Sequence, residues 1–221
     1  MAMTRWLIGP FCKQRTFPVD DLLVGVDRGA WNLARHGHVM AVAIGDFDSV
    51  NEEEFACINA HAQRVIRLPA SKDETDLEAA IRLVTGPKES WMACGFLNGP
   101  RLDHLFHALL VLHRFEDRRV VLVNANNRIE LLTTGTHHIQ QSKHQYISFF
   151  CLEPAVISLQ KGFRYPLKDA AMNVQQTLGI SNELIEPIGE IELVGKCLMM
   201  RSHEAKKRRR LSLPSWINRL F

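Results

Sequence analysis

Short apolar runs alternate with helix-patterned segments through the first 124 residues, and this alternation constrains the fold more than any other feature. The runs that read as buried β-strands are residues 22–26, 39–44, 64–68, 91–97 and 119–123. Between the later runs, apolar residues recur at helical spacing in 77–84 and again in 102–112. Repeated β–α alternation is typical of a parallel sheet covered by helices on both faces. We therefore predict an α/β fold that binds its ligands beyond the carboxyl ends of the strands.

The pattern changes after about residue 128, where short strands follow one another without long helices between them. These predicted strands are residues 129–132, 146–152, 156–159, 191–194 and 198–201. Such a series predicts a small antiparallel β-sandwich. We therefore expect an α/β domain over residues 1–126, a β-sandwich over 127–203 and a basic tail over 204–221.

The positive charge of the chain is concentrated in its tail. The 221 residues carry a net charge of +3, yet the last sixteen contain six Lys and Arg residues and no acidic residue. Without these six charges the remainder has a net charge of −3, so no specific nucleic-acid binding is expected. No stretch approaches the roughly 20 apolar residues that span a bilayer. The five cysteines are widely spaced and suggest reduced thiols, so we expect a cytoplasmic protein.

Acidic residues follow two of the predicted strands at the point where each strand ends. Asp27 and Arg28 come directly after strand 22–26, and Asp46 and Asp48 follow strand 39–44. The carboxyl ends of parallel strands meet at one edge of a sheet, so these side chains are expected to converge. One such pair is weak evidence by itself, because a solvated turn shows the same pattern.

Two later strand–helix junctions carry residues of the same kind. The junction before the helix of 77–84 contains Lys72, Asp73, Thr75 and Asp76. The junction before the helix of 102–112 contains Arg101, Asp103 and His104. Thr75 and Glu78 have the spacing of a capping box. Acidic residues favour the N-terminus of any helix, but this preference does not explain the cations beside them.

Clustered carboxylates repel one another unless a cation lies among them, and oxygen ligands of this type select Mg²⁺. Arg28, Lys72 and Arg101 would then neutralise the charge of a phosphate chain. The sequence contains neither a G-x-x-x-x-G-K-[ST] loop nor a G-x-G-x-x-G motif, which excludes an ordinary P-loop kinase and a Rossmann dehydrogenase. The pattern predicts an enzyme of phosphoryl or pyrophosphoryl transfer.

Several ordered motifs resemble those of bacterial thiamine pyrophosphokinases. In the first domain they are VGVDRGA at 24–30, IGDFDS at 44–49, KDETD at 72–76 and GFLNGPRLDH at 95–104. In the second domain they are GFRYPL at 162–167 and GISNE at 179–183. The resemblance covers about residues 22–200, and several motifs in order are more specific than any one alone.

The resemblance implies a homodimer with its active site at the subunit interface. Its N-terminal domain would bind Mg²⁺ and ATP, and its β-sandwich would help to bind thiamine across the interface. The implied metal ligands are Asp46, Asp48 and Asp76, and Asp73 and Asp103 join them as implied catalytic residues. The implied nucleotide site contains Asp27, Arg28, Lys72, Thr75, Arg101 and His104. Ser181 and Asn182 would contact thiamine from the partner chain.

The chain departs from this family pattern at three places, and two other functions stay open. Pro100 is inserted in a phosphate-facing loop after Asn98 and Gly99, Ala108 replaces a usual Asn, and the tail has no counterpart. One alternative is a related pyrophosphokinase that acts on a pterin alcohol, because the Mg–ATP half of its site would look the same. The other is a non-catalytic protein that binds thiamine or a nucleotide.

Overall fold

The computed structural model describes residues 3–204, and strands alternate with helices in its first half. The elements of this half are β1 (Arg5–Ile8), β2 (Leu22–Val26), α1 (Arg28–Ala34), β3 (Met40–Gly45), α2 (Glu52–His61), β4 (Ala62–Arg67), α3 (Asp76–Val84), β5 (Ser90–Cys94), α4 (Leu102–Arg114) and β6 (Arg119–Val123). The elements that follow are all strands: β7 (Asn127–Leu132), β8 (Gly135–Gln140), β9 (Tyr146–Phe150), β10 (Ala155–Lys161), β11 (Lys168–Met172), β12 (Ile188–Val194) and β13 (Cys197–Ser202).

The larger sheet has nine strands in the order β4-β3-β2-β1-β5-β6-β7-β13-β9, and its first six strands are parallel. The chain adds β2, β3 and β4 on one side of β1 and then returns to add β5 and β6 on the other side. This reversal leaves a crevice at the carboxyl ends of β1, β2 and β5, where open α/β sheets bind their ligands. The predicted parallel α/β sheet is confirmed.

The four helices cover both faces of the parallel strands. Leu7 and Ile8 are neighbours in β1, so their side chains point to opposite faces of the sheet. Ile8 packs in a core cluster with residues of α1 and α2, including Leu33 and Ile58. Leu7 packs in a second cluster with residues of α3 and α4, including Ile81. Both faces are therefore buried, which explains why the strand sequences are apolar throughout rather than alternating.

The antiparallel strands form a sandwich that uses one end of the larger sheet. β7, β13 and β9 extend that sheet, and a second sheet with the order β11-β10-β12-β8 packs against them. The core between the sheets contains Ile147 and Met199 from the first and Ile157 and Ile191 from the second. The larger sheet is continuous across the proposed domain boundary at residue 126, because β6 pairs directly with β7. That boundary stays a prediction.

Within residues 3–204, no helix is both long enough and apolar enough to cross a membrane. The predicted basic tail over 204–221 lies outside the described residues, apart from Glu204.

Candidate functional site

A cavity of about 670 Å³ opens at the carboxyl ends of β1, β2 and β5. Its walls come from the loops after these strands and from the N-terminal regions of α3 and α4. Pro10 and Phe11 follow β1, Asp27 follows β2, and Gly95 follows β5. The cavity therefore occupies the crevice that the strand order creates. Its volume lies in the range of roughly 300–1,000 Å³ that is typical of small-molecule sites.

Asp27, Asp46 and Asp48 form a carboxylate cluster beside this cavity. One carboxylate oxygen of each residue lies within 4.8 Å of the other two. Asp27 has a φ of 47°, a backbone conformation that non-glycine residues rarely adopt. Gly45 permits the approach of the two strand ends, because a Cβ at this position would lie 2.9 Å from the Asp27 Cα. Two neighbouring strands, β2 and β3, thus bring together three of the acids named from sequence.

Lys72 joins this cluster to the start of α3. Its Nζ lies 2.8 Å from Asp46 Oδ2 and 3.0 Å from Asp76 Oδ1. Burial lowers the pKa of Lys72, but its hydrogen bonds to Asp46 and Asp76 outweigh burial and raise the pKa overall. Burial raises the pKa of Asp46, but the hydrogen bond from Lys72 contributes to a net lowering. Asp46 and Lys72 are therefore both charged at neutral pH.

The pKa values of Asp48 and Asp76 are shifted in the opposite direction to that of Asp46. The negative charge of Asp46 raises the pKa of Asp48, and burial and Asp27 add to this effect. Burial raises the pKa of Asp76, although Lys72 offsets part of the increase. The shift at Asp48 reports an excess of negative charge that a bound cation would relieve. The donor atoms are all carboxylate oxygens, which suit a hard divalent cation.

Cationic side chains line the same cavity. They are Arg28, Lys72 and Arg101, and the imidazole of His104 also lines the cavity. Arg28 donates a hydrogen bond to the carbonyl oxygen of Ser49 and lies 3.6 Å from Glu54. Arg101 precedes α4 and pairs with Asp103 at 2.5 Å, with both side chains more than 60% exposed to solvent (64% and 63%). The exposed Arg101 guanidinium is therefore free to exchange this partner for an anion in the cavity.

Two acids named from sequence lie apart from the carboxylate cluster. Asp73 is exposed and has no ion pair or side-chain hydrogen bond within residues 3–204. Asp103 is also exposed, and its carboxylate contacts Arg101. Among the acids named from sequence, Asp27 and Asp76 line the cavity, whereas Asp46, Asp48, Asp73 and Asp103 do not. The catalytic roles assigned to Asp73 and Asp103 stay predictions.

The start of α3 contains a contact that the sequence did not reveal. Only half of the predicted capping box forms: Thr75 Oγ1 accepts a hydrogen bond from the Glu78 backbone at 3.3 Å. The Glu78 side chain instead lies 3.2 Å from His107 Nε2 and 2.5 Å from Arg114 Nη1. The capping box is incomplete because α4 offers Glu78 two partners. His107 lines the cavity. His107 and Arg114 are seven residues apart in α4 and therefore lie on one helix face, which was the only sequence signal that they could share a partner.

Ser181 and Asn182 have very different surroundings. Asn182 is 2% exposed, and its side-chain oxygen accepts hydrogen bonds from the backbones of Tyr165 and Glu183. Its side-chain nitrogen donates to the Tyr165 carbonyl oxygen and to Gln160 Oε1. All four hydrogen-bonding positions of the amide are therefore used inside the subunit. Ser181 is exposed, so a thiamine contact at this pair, which stays a prediction, now depends on Ser181.

Two of the three departures from the family pattern, the loop with Pro100 and the residue Ala108, lie in the cavity wall. Gly99, Pro100 and Ala108 all line the cavity. Ala108 is 1% exposed and also belongs to the core beneath α4. These positions thus shape the same cavity that the acidic and basic residues surround.

A carboxylate cluster and several cations around one cavity define the class of site that binds a phosphate chain together with a divalent cation. Comparison with known proteins agrees with this class. Residues 14–123 match the family described as "Thiamin pyrophosphokinase, catalytic domain". Residues 136–197 match "Thiamin pyrophosphokinase, vitamin B1 binding domain".

Individual relatives extend this match to most of the chain. A thiamine pyrophosphokinase of Bacillus subtilis (strain 168) is 31% identical over 186 residues, which are 82% of this chain and 87% of the relative. A thiamin pyrophosphokinase family protein from Enterococcus faecalis has a similar structure, with a TM-score of 0.80 and 26% identity over 91% of this chain and 100% of that chain. The Bacillus subtilis structure gives a TM-score of 0.78 and 28% identity with the same coverage. The chain belongs to the thiamine pyrophosphokinase family.

Proposed function

We propose that the protein is a thiamine pyrophosphokinase, which transfers a diphosphate group from ATP to the hydroxyl of thiamine. The products are thiamine diphosphate and AMP. The observation that carries this proposal is the carboxylate cluster of Asp27, Asp46 and Asp48 at the cavity of a chain that contains both family domains. The matched vitamin B1 binding domain favours thiamine over a pterin alcohol as acceptor. The intact acidic and basic set around the cavity favours an enzyme over a non-catalytic binding protein.

The carboxylate cluster fits Mg²⁺ in donor type and spacing. Asp46 and Asp48, which the sequence resemblance names as ligands, lie with Asp27 in a group of oxygen donors within 4.8 Å. Asp76 shares Lys72 with Asp46 and therefore adjoins this group rather than completing it. When bound, Mg²⁺ would neutralise charge on the phosphate chain and on the cluster. We therefore propose Asp27, Asp46 and Asp48 as the metal-binding carboxylates.

The reaction needs positioning and charge neutralisation more than covalent chemistry. The thiamine hydroxyl oxygen attacks the β-phosphorus of ATP, and its proton passes to solvent water. The bond from the β-phosphorus to the oxygen that bridges it to the α-phosphate breaks, and AMP leaves with the electron pair. Arg28, Lys72 and Arg101 line the cavity with positive charge and would hold the phosphate chain in place. Asp73 and Asp103 are exposed and lie apart from the carboxylate cluster, so we assign them no step.

We also propose that two copies of the chain share each site, as the resemblance implies. An apolar stripe on α4 supports a subunit contact next to the cavity: Leu102 is 78% exposed, Phe106 59% and Leu110 41%. These residues follow one another at four-residue spacing on one helical face. Arg101 and His104, at the start of the same helix, line the cavity. A cytoplasmic location stays a proposal from sequence.

The activity is tested by incubating the purified protein with Mg–ATP and thiamine and measuring AMP and thiamine diphosphate. Equal amounts of the two products are expected, and neither should form without Mg²⁺. Formation of ADP with thiamine monophosphate would contradict the proposed bond cleavage. A pterin alcohol tested in parallel distinguishes the second acceptor, because product from the pterin alone would replace thiamine in the proposal.

Shared sites are tested by mixing two inactive variants, Asp48→Asn and Ser181→Trp. In a mixed dimer one site would contain both changes and the other neither, so a measurable part of the activity should return. Heterodimers that are shown to form but remain inactive would contradict a shared site.

A further inference from the structure

The side chains of Glu78, His107 and Thr75 form a connected chain that ends at the cavity. His107 Nε2 lies 3.2 Å from Glu78 Oε2, and His107 Nδ1 lies 3.4 Å from Thr75 Oγ1. Thr75 and His107 both line the cavity, while Glu78 is 3% exposed. The histidine ring therefore connects a buried carboxylate to a hydroxyl at the cavity wall.

The burial of Glu78 is unusual for this chain. Within residues 3–204, Glu78 is the only acidic residue that is buried. Arg114 Nη1 lies 2.5 Å from its Oε1 and balances its charge, so His107 is not required to be a counter-ion. The Arg114 side chain is 70% exposed, so only the carboxylate end of this ion pair is buried. Replacing a buried charged group by apolar residues of similar volume is often neutral or stabilising, so stability alone does not require the contact. The contact between Glu78 and His107 thus calls for a role besides packing.

In a neutral His107 ring, the hydrogen-bond partners decide which nitrogen carries the hydrogen. A carboxylate only accepts hydrogen bonds, so the hydrogen of a neutral His107 ring is on Nε2. Nδ1 is then an acceptor, and the Thr75 hydroxyl donates its hydrogen to it. Thr75 Oγ1 also accepts a hydrogen bond from the Glu78 backbone at 3.3 Å. The oxygen therefore keeps one lone pair that no protein group uses within the described residues.

We propose that Glu78 and His107 are positioning residues that hold the Thr75 hydroxyl with this lone pair towards the cavity. There it accepts a hydrogen bond from a bound O–H donor, which is the substrate alcohol or a water molecule on the Mg²⁺ ion. Asp76 follows Thr75 directly and also lines the cavity, which places this acceptor beside the Lys72 ion pairs. The inference rests on the proposed function, because that reaction supplies both kinds of donor.

Three substitutions of His107 separate this role from packing. In His107→Asn the side-chain amide lies at the position of Nδ1, so the variant retains the contact with Thr75 and loses the contact with Glu78. In His107→Gln the side-chain amide reaches the position of Nε2, so the variant retains the contact with Glu78 and loses the contact with Thr75. His107→Leu removes both contacts and fills similar space. Each variant is compared with the wild type in thermal midpoint, in kcat and KM for thiamine, and in calorimetric affinity for Mg–ATP.

The proposal expects turnover and stability to follow different contacts. His107→Asn should keep kcat/KM within about threefold of the wild type, whereas His107→Gln and His107→Leu should lose about tenfold. The thermal midpoint should show the reverse order, with His107→Gln closest to the wild type. A higher KM or lower kcat for thiamine at unchanged Mg–ATP affinity identifies the alcohol as donor, and weakened Mg–ATP affinity identifies the metal-bound water.

A double-substitution cycle provides the second measurement. Thr75→Val should lower kcat/KM about as much as His107→Gln, and the double variant should be no worse than either, because both changes remove one interaction. Thr75→Ser keeps the hydroxyl and should retain most of the activity even if Thr75→Val folds poorly. Equal kcat/KM and equal Mg–ATP affinity in His107→Asn and His107→Gln would overturn the proposal. Absence of turnover in the wild type would contradict the proposed function instead, and the calorimetric comparison would still test the role of His107.

Discussion

Substitution of Asn182 by alanine tests whether this residue supports the fold or binds thiamine. The side chain is 2% exposed and makes four hydrogen bonds, which hold the Tyr165 and Glu183 backbones and Gln160. A typical hydrogen bond contributes about 1 kcal/mol net, and buried partners left unpaired cost more. We therefore expect Asn182→Ala to lower the free energy of unfolding by about 3–4 kcal/mol.

The expected loss is large enough to measure by two methods. For a chain of this length, 1 kcal/mol shifts the thermal midpoint by about 2–4 °C, so the midpoint should fall by about 6–16 °C. Urea unfolding followed by tryptophan fluorescence should show a lower midpoint with little change in slope. Both measurements are made at one protein concentration, because subunit association would otherwise alter the apparent stability.

Ser181→Ala is the matched control, because Ser181 is adjacent to Asn182 but is itself exposed, and its hydroxyl makes no hydrogen bond within residues 3–204. This variant should unfold within about 0.5 kcal/mol of the wild type but should raise the KM for thiamine if Ser181 contacts the substrate. The reasoning would be refuted if Asn182→Ala unfolds like the wild type and binds thiamine poorly. Asn182 would then contact the substrate in a conformation other than the one described.

Three further predictions concern the carboxylate cluster and the tail. Asp48→Asn should lower kcat on the order of a hundredfold in the AMP assay without lowering the thermal midpoint, because a neutral amide does not balance the positive charge of Mg²⁺. A variant with wild-type turnover would exclude Asp48 as a ligand. The pKa of Asp46 is lowered from 3.8, so its stabilising contact with Lys72 is complete above this pH and is lost as the pH falls through the lowered pKa. Asp46→Asn should therefore reduce the dependence of the urea midpoint on pH in that acidic range, and an unchanged dependence would argue against the contact. Deletion of residues 206–221 removes six positive charges and should weaken binding to anionic vesicles while turnover stays within a few-fold; collapse of turnover would place the tail in the site.

The sequence by itself determined the fold class and the edge of the sheet where the site lies. Apolar runs identified β2 and β6 within their observed bounds, because strands buried on both faces contain few polar residues. The same sheet geometry required Asp27 and Asp46 to meet, since each directly follows one of two neighbouring parallel strands. Ordered motifs then indicated the family, which the comparisons confirmed.

Local sequence patterns were insufficient for several elements. β1 comprises only four residues, and its central place in the sheet follows from pairing with β2 and β5 rather than from its own sequence. In α2 only Ile58 is fully buried, so its apolar periodicity is weak even though Asn51 and Glu54 form a complete capping box. These elements are defined by long-range contacts, which a local period does not report.

Tertiary structure decided which polar side chains meet. Thr75 and Glu78 have the spacing of a capping box, yet the Glu78 side chain turns to His107 and Arg114 because α4 packs beside it. Asn182 lies in a motif that suggests ligand binding, yet its buried side-chain amide forms hydrogen bonds with the backbone of its own subunit. Sequence spacing fixes which residues share a strand end or a helix face. The partner of a polar side chain depends on the groups that folding brings within about 3 Å of it from distant segments, because hydrogen bonds and ion pairs act only at that range.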